Sequence, residues 1–286
     1  MPRPRPGRYA RLPTERPDPR SRGLERRSPA AIARLMNRAD REAVRAVGRA
    51  RPAVARAVDL LRRAVGAGGR ILLVGAGTSG RLGVLEAAEC PPTFGTPPGL
   101  VRALIAGGPR AVFRSQEGAE DDRAAAARQI RGLVRPGDVV VGLSASGITP
   151  FVRAALAAAR RRGALTLLVT CNPGVSRRAA RHVIALDTGP EVLAGSTRLK
   201  AGTATKLVLN TLTTATFAGL GRVRDNRMLL VAPRSAKLRA RATRLVGEWG
   251  RVGEGEARRL LARVGGRVDR ALRLAAARRP WRSPRA

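Results

Sequence analysis

Two glutamates and three clusters of small hydroxyl residues are the side chains best equipped for chemistry in this 286-residue sequence. Glu89 stands in the run Ala87-Ala88-Glu89-Cys90-Pro91-Pro92, and Glu120 in Glu117-Gly118-Ala119-Glu120-Asp121-Asp122. The hydroxyls sit in short loops. One holds Gly77, Thr78 and Ser79, a second Ser144, Ser146, Gly147 and Thr149, and a third Ser196 and Thr197 followed by Lys200. Hydroxyl and backbone N–H donors converging at a helix start suit a phosphate dianion, which the helix dipole also favours. Three such loops fit a compact phosphorylated sugar better than an extended dinucleotide.

Gly75, Gly77 and Gly80 do satisfy the dinucleotide spacing G-x-G-x-x-G. A dinucleotide fold also wants a carboxylate about 20 residues later, at the end of the next strand, for the ribose hydroxyls. The next apolar run closes with Leu104-Ile105-Ala106-Gly107-Gly108-Pro109-Arg110 and offers none. Taken alone, the acids around Glu120 read first as complements to the N-terminus of the following helix, where each stabilises by about 0.3–1 kcal/mol. Glu89 reads as either a solvated residue near a helix end or a functional acid. His182, the one histidine, reads as a core or surface residue, and Cys90 and Cys171 lack a paired histidine. No spacing suggests a metal site.

The elements that must carry these residues follow from the apolar pattern. Residues 70–75, 100–108, 138–147, 165–174 and 182–189 are short apolar runs that stop at glycine or small polar residues. Helical stretches at 79–89, 119–134 and 150–162 separate the first four. This alternation predicts an α/β fold with a doubly wound parallel sheet covered on both faces, whose ligands sit beyond the carboxyl ends of the strands. Ser28-Pro29 supplies an N-cap and first-turn proline for helices running to about residue 65. A long helix is expected at 199–220, then the run 228–233 and two or three amphipathic helices over 234–278. The expected division is an N-terminal arm and helices at 1–60, the sheet domain at 61–224 and a helical segment at 225–286. Leu207, Val208, Leu209, Leu212 and Phe217 give the helix 199–220 more apolar surface than one covered face explains, which suggests a homodimer.

The formal net charge of +36 raises the question of nucleic acid. All but three of the 56 basic residues are arginines scattered along the whole chain, and aromatic residues are 2%. Stacking platforms for single strands are therefore nearly absent, and nucleic acid is not the expected partner. The Arg- and Pro-rich first 23 residues lack the apolar stretch of a secretory signal, no run approaches the length of a membrane span, and two cysteines make no disulfide framework. A cytoplasmic protein with no membrane partner is expected.

The S-x-S-G-x-T spacing of Ser144–Thr149 resembles the sugar isomerase (SIS) domain of phosphosugar-binding proteins. "GAGTSGRLGVLEAAECPPTFG", "LIAGG", "EGAEDD", "VVVGLSASGITP", "CNPG" and "PEVLAGSTRLKAGTATKLVLN" together resemble the N-acetylmuramic acid 6-phosphate etherases, in order and at matching spacing. More loosely, the resemblance runs from Thr14 to about Leu220. It implies loss of D-lactate from the amino sugar by elimination and then addition of water, in amino-sugar catabolism and cell-wall recycling. The residue matching Glu120 is then the base at C2 of the ring-opened sugar, and the residue matching Glu89 the acid that protonates the C3 ether. It also implies a site completed across two subunits and no cofactor or metal. The sequence departs from the family's S-G-R-T-P at Ile148 and from its G-N-L-M-V-D over 225–230. These departures keep a second expectation open: a non-catalytic phosphosugar-binding regulatory protein.

Overall fold

The computed structural model describes residues 12–229 and 236–277. Five short strands, β1 (Ile71–Gly75), β2 (Val101–Ile105), β3 (Val139–Leu143), β4 (Leu165–Thr170) and β5 (His182–Ala185), form one parallel sheet in the order β2-β1-β3-β4-β5. β1 and β3 are buried at every position, as central strands covered on both faces must be. The expected doubly wound α/β sheet is therefore the fold.

Strand parity divides the core. Leu72, Val74, Val140 and Leu168 pack with Ala126 and Ile130 of α5 (Arg123–Leu133) and with Phe151, Val152, Ala155 and Leu156 of α6 (Pro150–Arg161). Leu73 and Leu143 point the other way, towards Gly83 of α3 (Gly77–Phe94), where an added methyl would stand 3.3 Å from both; the single turn α4 (Arg110–Phe113) follows β2. Before the sheet come α1 (Pro29–Arg49) and α2 (Arg51–Gly66), which bury Ala39, Ala43, Ala46, Val54, Ala57 and Leu61. Ser28 caps α1 by accepting from Ala31 N, as expected. His182 has a structural role: its Nε2 lies 2.7 Å from the carbonyl oxygen of Ala53. At the amino ends of β1 and β3, Asp138 accepts from Arg70 N, Arg70 Nη2 and Arg135 N. Burial alone would raise its pKa, but the Arg70 hydrogen bonds and the two backbone amides hold it below the ordinary value.

The described residues pack as two compact units, one of 12–88 and 99–216 and the other of 89–98, 217–229 and 236–277. The N-terminal helices thus fall in the same unit as the sheet. Within the second unit, β6 (Val223–Arg224) and β7 (Arg227–Met228) form a small antiparallel hairpin. Three helices, α8 (Ala236–Gly250), α9 (Glu254–Arg263) and α10 (Val268–Ala277), close around Leu245, Val246, Leu260 and Ala271. Most of the apolar run 228–233 lies outside the described residues.

Two local expectations are corrected. α3 does not end at the Glu89 region but continues through Pro91 and Pro92 to Phe94. The prolines remove two N–H donors from the ladder, and tertiary contacts hold the last turn instead. Cys90 is 1% exposed, the Phe94 ring lies 5.0 Å from that of Phe217, and Arg222 Nη1 donates to the carbonyls of Phe94 and Gly95. The long helix α7 (Lys200–Gly219) also has little apolar surface to spare. Val208, Leu209, Leu212 and Phe217 are each at most 2% exposed within the single chain and Leu207 is half-buried, so these residues give little motive for a dimer.

Candidate functional site

Each strand of a parallel sheet delivers its following loop to the same edge, so the loops after β1, β3, β4 and β5 share one end. Their glycines show how tightly. A methyl on Gly75 would meet Gly80 N at 2.6 Å, and one on Gly80 would meet Ile105 Cγ1 at 2.5 Å. Two of the three fingerprint glycines thus serve the close approach of α3 to β1 and β2. Gly77, at φ +53°, makes the left-handed turn into α3.

In the loop after β3, Ser144 is buried and structural. Its Oγ accepts from Gly147 N at 3.0 Å, lies 2.7 Å from Thr149 Oγ1 and 3.3 Å from Ser146 Oγ. The neighbouring loop braces this cluster: Asn172 Nδ2 donates to Ser146 O, and Thr170 Oγ1 to Ala145 O. Thr149 precedes α6 but makes no side-chain cap, so that helix start lacks a side-chain acceptor from its N-cap residue. Thr78 and Ser79 are half-buried and carry no side-chain hydrogen bond among the described residues, as do Ser196 and Thr197.

The start of α7 is arranged differently. Glu191, fully buried, accepts from the amides of Lys200 and Ala201, each at 2.9 Å. Burial pushes its pKa up, against the pull of those two amides. Lys200, expected to meet substrate, is 1% exposed, with its Nζ 3.0 Å from Glu42 Oε2. Glu42 also binds Arg20, which in turn holds Asp18. Hydrogen bonds from Arg20 lead in lowering the Glu42 pKa to about 2; burial opposes and Lys200 adds to them. The third loop is nevertheless close to the first, since a methyl on Gly202 would lie 3.7 Å from Thr78 Cγ2.

Glu120 stands on a single 3-10 turn, Ala119–Asp121, entered by Gly118 at φ +73°. It is Asp122 that caps α5, accepting from Ala125 N at 2.8 Å. Glu120 is exposed and has no hydrogen-bond or ion-pair partner for its carboxylate among the described residues. It lines a cavity of about 180 Å³ together with Ala76, Gly77, Arg81 and the loop 115–119. Arg81, which sequence reasoning passed over in favour of the hydroxyls, is the cation of that lining; its Nε donates to Val112 O at 2.8 Å. Glu89, on α3, is exposed and belongs to the second unit.

Ile148 lines a separate groove between α5 and α6 with Arg123, Arg153 and Arg161, so guanidinium groups surround the position where the family motif has its arginine. The larger cavity of about 1080 Å³, between α8 and α9, includes none of the expected site residues. Among the described residues no group of three His, Cys, Asp or Glu side chains is placed to hold a metal, and no helix is long and apolar enough to cross a membrane. Cys171 is buried, and desolvation pushes its thiol up to about 12, far from a nucleophile's range.

The sequence matches the model of the glucokinase regulatory protein N-terminal SIS domain over residues 53–160 and that of the SIS domain over 120–215. It is 52% identical over 192 residues to an N-acetylmuramic acid 6-phosphate etherase of Symbiobacterium thermophilum, covering 67% of this chain and 64% of that relative. The chain thus spans somewhat less than two thirds of that relative's length. With the N-acetylmuramic acid 6-phosphate etherase of Microcystis aeruginosa it is 48% identical over 267 residues, which is 91% of this chain and 86% of the other. Among solved structures, the protein c3406 of E. coli CFT073 shares the fold, at TM-score 0.51 and 17% identity, over 70% of this chain and 97% of that one.

Proposed function

The chain belongs to the N-acetylmuramic acid 6-phosphate etherase family, and from that premise we propose that it removes D-lactate from N-acetylmuramic acid 6-phosphate, leaving N-acetylglucosamine 6-phosphate. One observation carries the reading: Glu120, spared from helix capping, shares a cavity with the glycine loop after β1. A carboxylate without a partner there is available to take a proton.

The phosphate is assigned to the hydroxyls of Ser146 and Thr149 and the start of α6, with Thr78 and Ser79 as further donors. Ser144 and Gly147 shape that loop. The start of α7 is a poor second seat, because Glu191 already occupies the amides of Lys200 and Ala201. Lys200 therefore acts by holding α7 to α1 through Glu42, and Ser196 and Thr197 are the parts of the third loop left for substrate. Glu120 takes the C2 proton of the ring-opened sugar, and an acid, assigned to Glu89, protonates the ether oxygen as lactate leaves. Water then adds at C3. Neither step transfers electrons to a cofactor.

The family also supports a homodimer whose second subunit completes the site. With α7 covered, the exposed large apolar residues available for such a contact include Leu85 and Phe113, at 48% and 89% exposed. Light scattering at micromolar concentration tests this, and a monomer would remove it. The enzyme reading is tested by incubating purified protein with N-acetylmuramic acid 6-phosphate and measuring D-lactate. The replacement of the family arginine by Ile148 favours one other reading, sugar-phosphate binding without turnover. Tight binding with no lactate and no C2 exchange would select it.

A further inference from the structure

The substrate assigned above carries two anionic groups, a phosphate and the carboxylate of its lactyl ether, and the hydroxyl loops account for the first alone. We propose that Arg81 is the receptor for the second: a substrate-contacting, specificity-determining residue that recognises the lactyl carboxylate. This inference rests on the etherase reading for the identity of the ligand.

Three observations lead to it. Arg81 lines the same cavity as Glu120 and Gly77. Its Nε donates to the carbonyl of Val112 at 2.8 Å, which restrains the guanidinium. Its terminal nitrogens have no hydrogen bond and no carboxylate within ion-pair distance among the described residues. An arginine so anchored keeps its two-pronged edge for a planar anion, and carboxylate is the planar anion this edge matches.

The chemistry of the ligand selects the same place. Glu120 is assigned to the proton on C2, and the lactyl ether hangs from C3, the adjacent carbon. The carboxylate is therefore held near the base by covalent connectivity. Without a counter-charge it would meet Glu117 and Glu120, both in the cavity lining, and like charges at such range repel. Arg81 is the cation in that lining, so it offsets the repulsion for a sugar bearing the acid. N-acetylglucosamine 6-phosphate, which lacks the lactyl group, gains nothing from it. The arrangement discriminates substrate from product.

The experiment compares the binding of the two sugars by calorimetry, using Glu120→Gln as the background so that substrate is not consumed. Adding Arg81→Gln should weaken N-acetylmuramic acid 6-phosphate by roughly 10- to 100-fold, the loss of a charge-assisted contact, and leave N-acetylglucosamine 6-phosphate within about 2-fold. Arg81→Lys should fall between, since an ammonium pairs without the fork. Equal weakening of both sugars would assign Arg81 to the phosphate, and no weakening of either would leave it a structural role; each result overturns the proposal. If Arg81→Gln does not fold, unsubstituted protein can be titrated with the lactamide analogue of the substrate, which should bind no better than the product. Binding on a par with the acid would overturn the proposal too. Lactate release by unsubstituted protein judges the etherase reading separately. Turnover combined with Arg81-independent selectivity sinks this inference alone, whereas carboxylate-dependent binding without turnover supports it and sinks the reading.

Discussion

Glu42→Gln should cost the protein about 3 kcal/mol at neutral pH, and the cost should shrink in acid. The substitution leaves the Lys200 ammonium, 1% exposed, without its carboxylate, and removes one of the two acids that hold Arg20. Breaking a buried pair by deleting one member typically costs about 3–5 kcal/mol, and the partial exposure of Glu42, 28%, puts this case at the low end. The pKa points the same way: hydrogen bonds from Arg20, with Lys200 adding to them, hold the Glu42 carboxyl down at about 2. A carboxyl whose folded pKa is depressed contributes stability above its unfolded pKa and loses it as pH falls through the folded value. The contribution is thus complete above about 5 and fades towards 2. Urea unfolding of both proteins at pH 7 should show the full gap, and at pH 3.5 the gap should be smaller by about 1 kcal/mol. Adding Lys200→Met should restore part of the loss, because no cation is then stranded in the interior. A gap below about 1 kcal/mol at pH 7, or one that does not change with pH, would refute the reasoning.

Glu120→Gln should abolish exchange of the substrate's C2 proton with deuterated solvent. Glu89→Gln should block lactate release while exchange persists, each by roughly 10²–10⁴-fold; NMR and a lactate assay read the two, and the opposite pattern would exchange the assignments. Ser146→Ala or Thr149→Ala should weaken sugar-phosphate binding by about 1–3 kcal/mol, and unchanged calorimetric affinity in both would move the phosphate elsewhere. Gly80→Ala should lower stability by about 1–3 kcal/mol, because the new methyl meets Ile105 and the Gly75 carbonyl; an unshifted urea midpoint counts against the close approach. Cys171 should resist iodoacetamide at pH 8 in the folded protein and react once unfolded, with mass spectrometry as the readout.

The sheet was legible because its signals are local: five apolar runs, each closed by glycine or a small polar residue. Asp122 as the α5 cap was also within reach, since an N-cap acid directly precedes its helix. Other features depend on contacts remote in sequence. Nothing in Ala88-Glu89-Cys90-Pro91-Pro92 says that Phe217 and Arg222 will hold a helix through two prolines. Lys200 follows two hydroxyls at a helix start and reads as a phosphate ligand until Glu42, on a helix far earlier in the chain, claims its ammonium. Arg81 was obscured by composition, because one arginine among so many gives no signal until its neighbours are known.

The pairing of Lys200 with Glu42 has a bearing on the chain's arginine bias. With all but three of 56 basic residues arginine, each lysine marks a position where the two cations are not interchangeable, or one the bias has not reached. Lys200 is of the first kind: its ammonium occupies a closed site, and a planar guanidinium with five donors would need more room and more acceptors than one glutamate gives. Lys206 has a milder constraint: with the Asn210 amide turned so that its nitrogen donates to Glu86, its oxygen accepts from Lys206 Nζ at 2.8 Å. Lys237 has no such tie among the described residues. Lys237→Arg should therefore be silent, Lys206→Arg mild and Lys200→Arg damaging, so that tolerance to a nominally conservative exchange is graded by how fully each cation is enclosed.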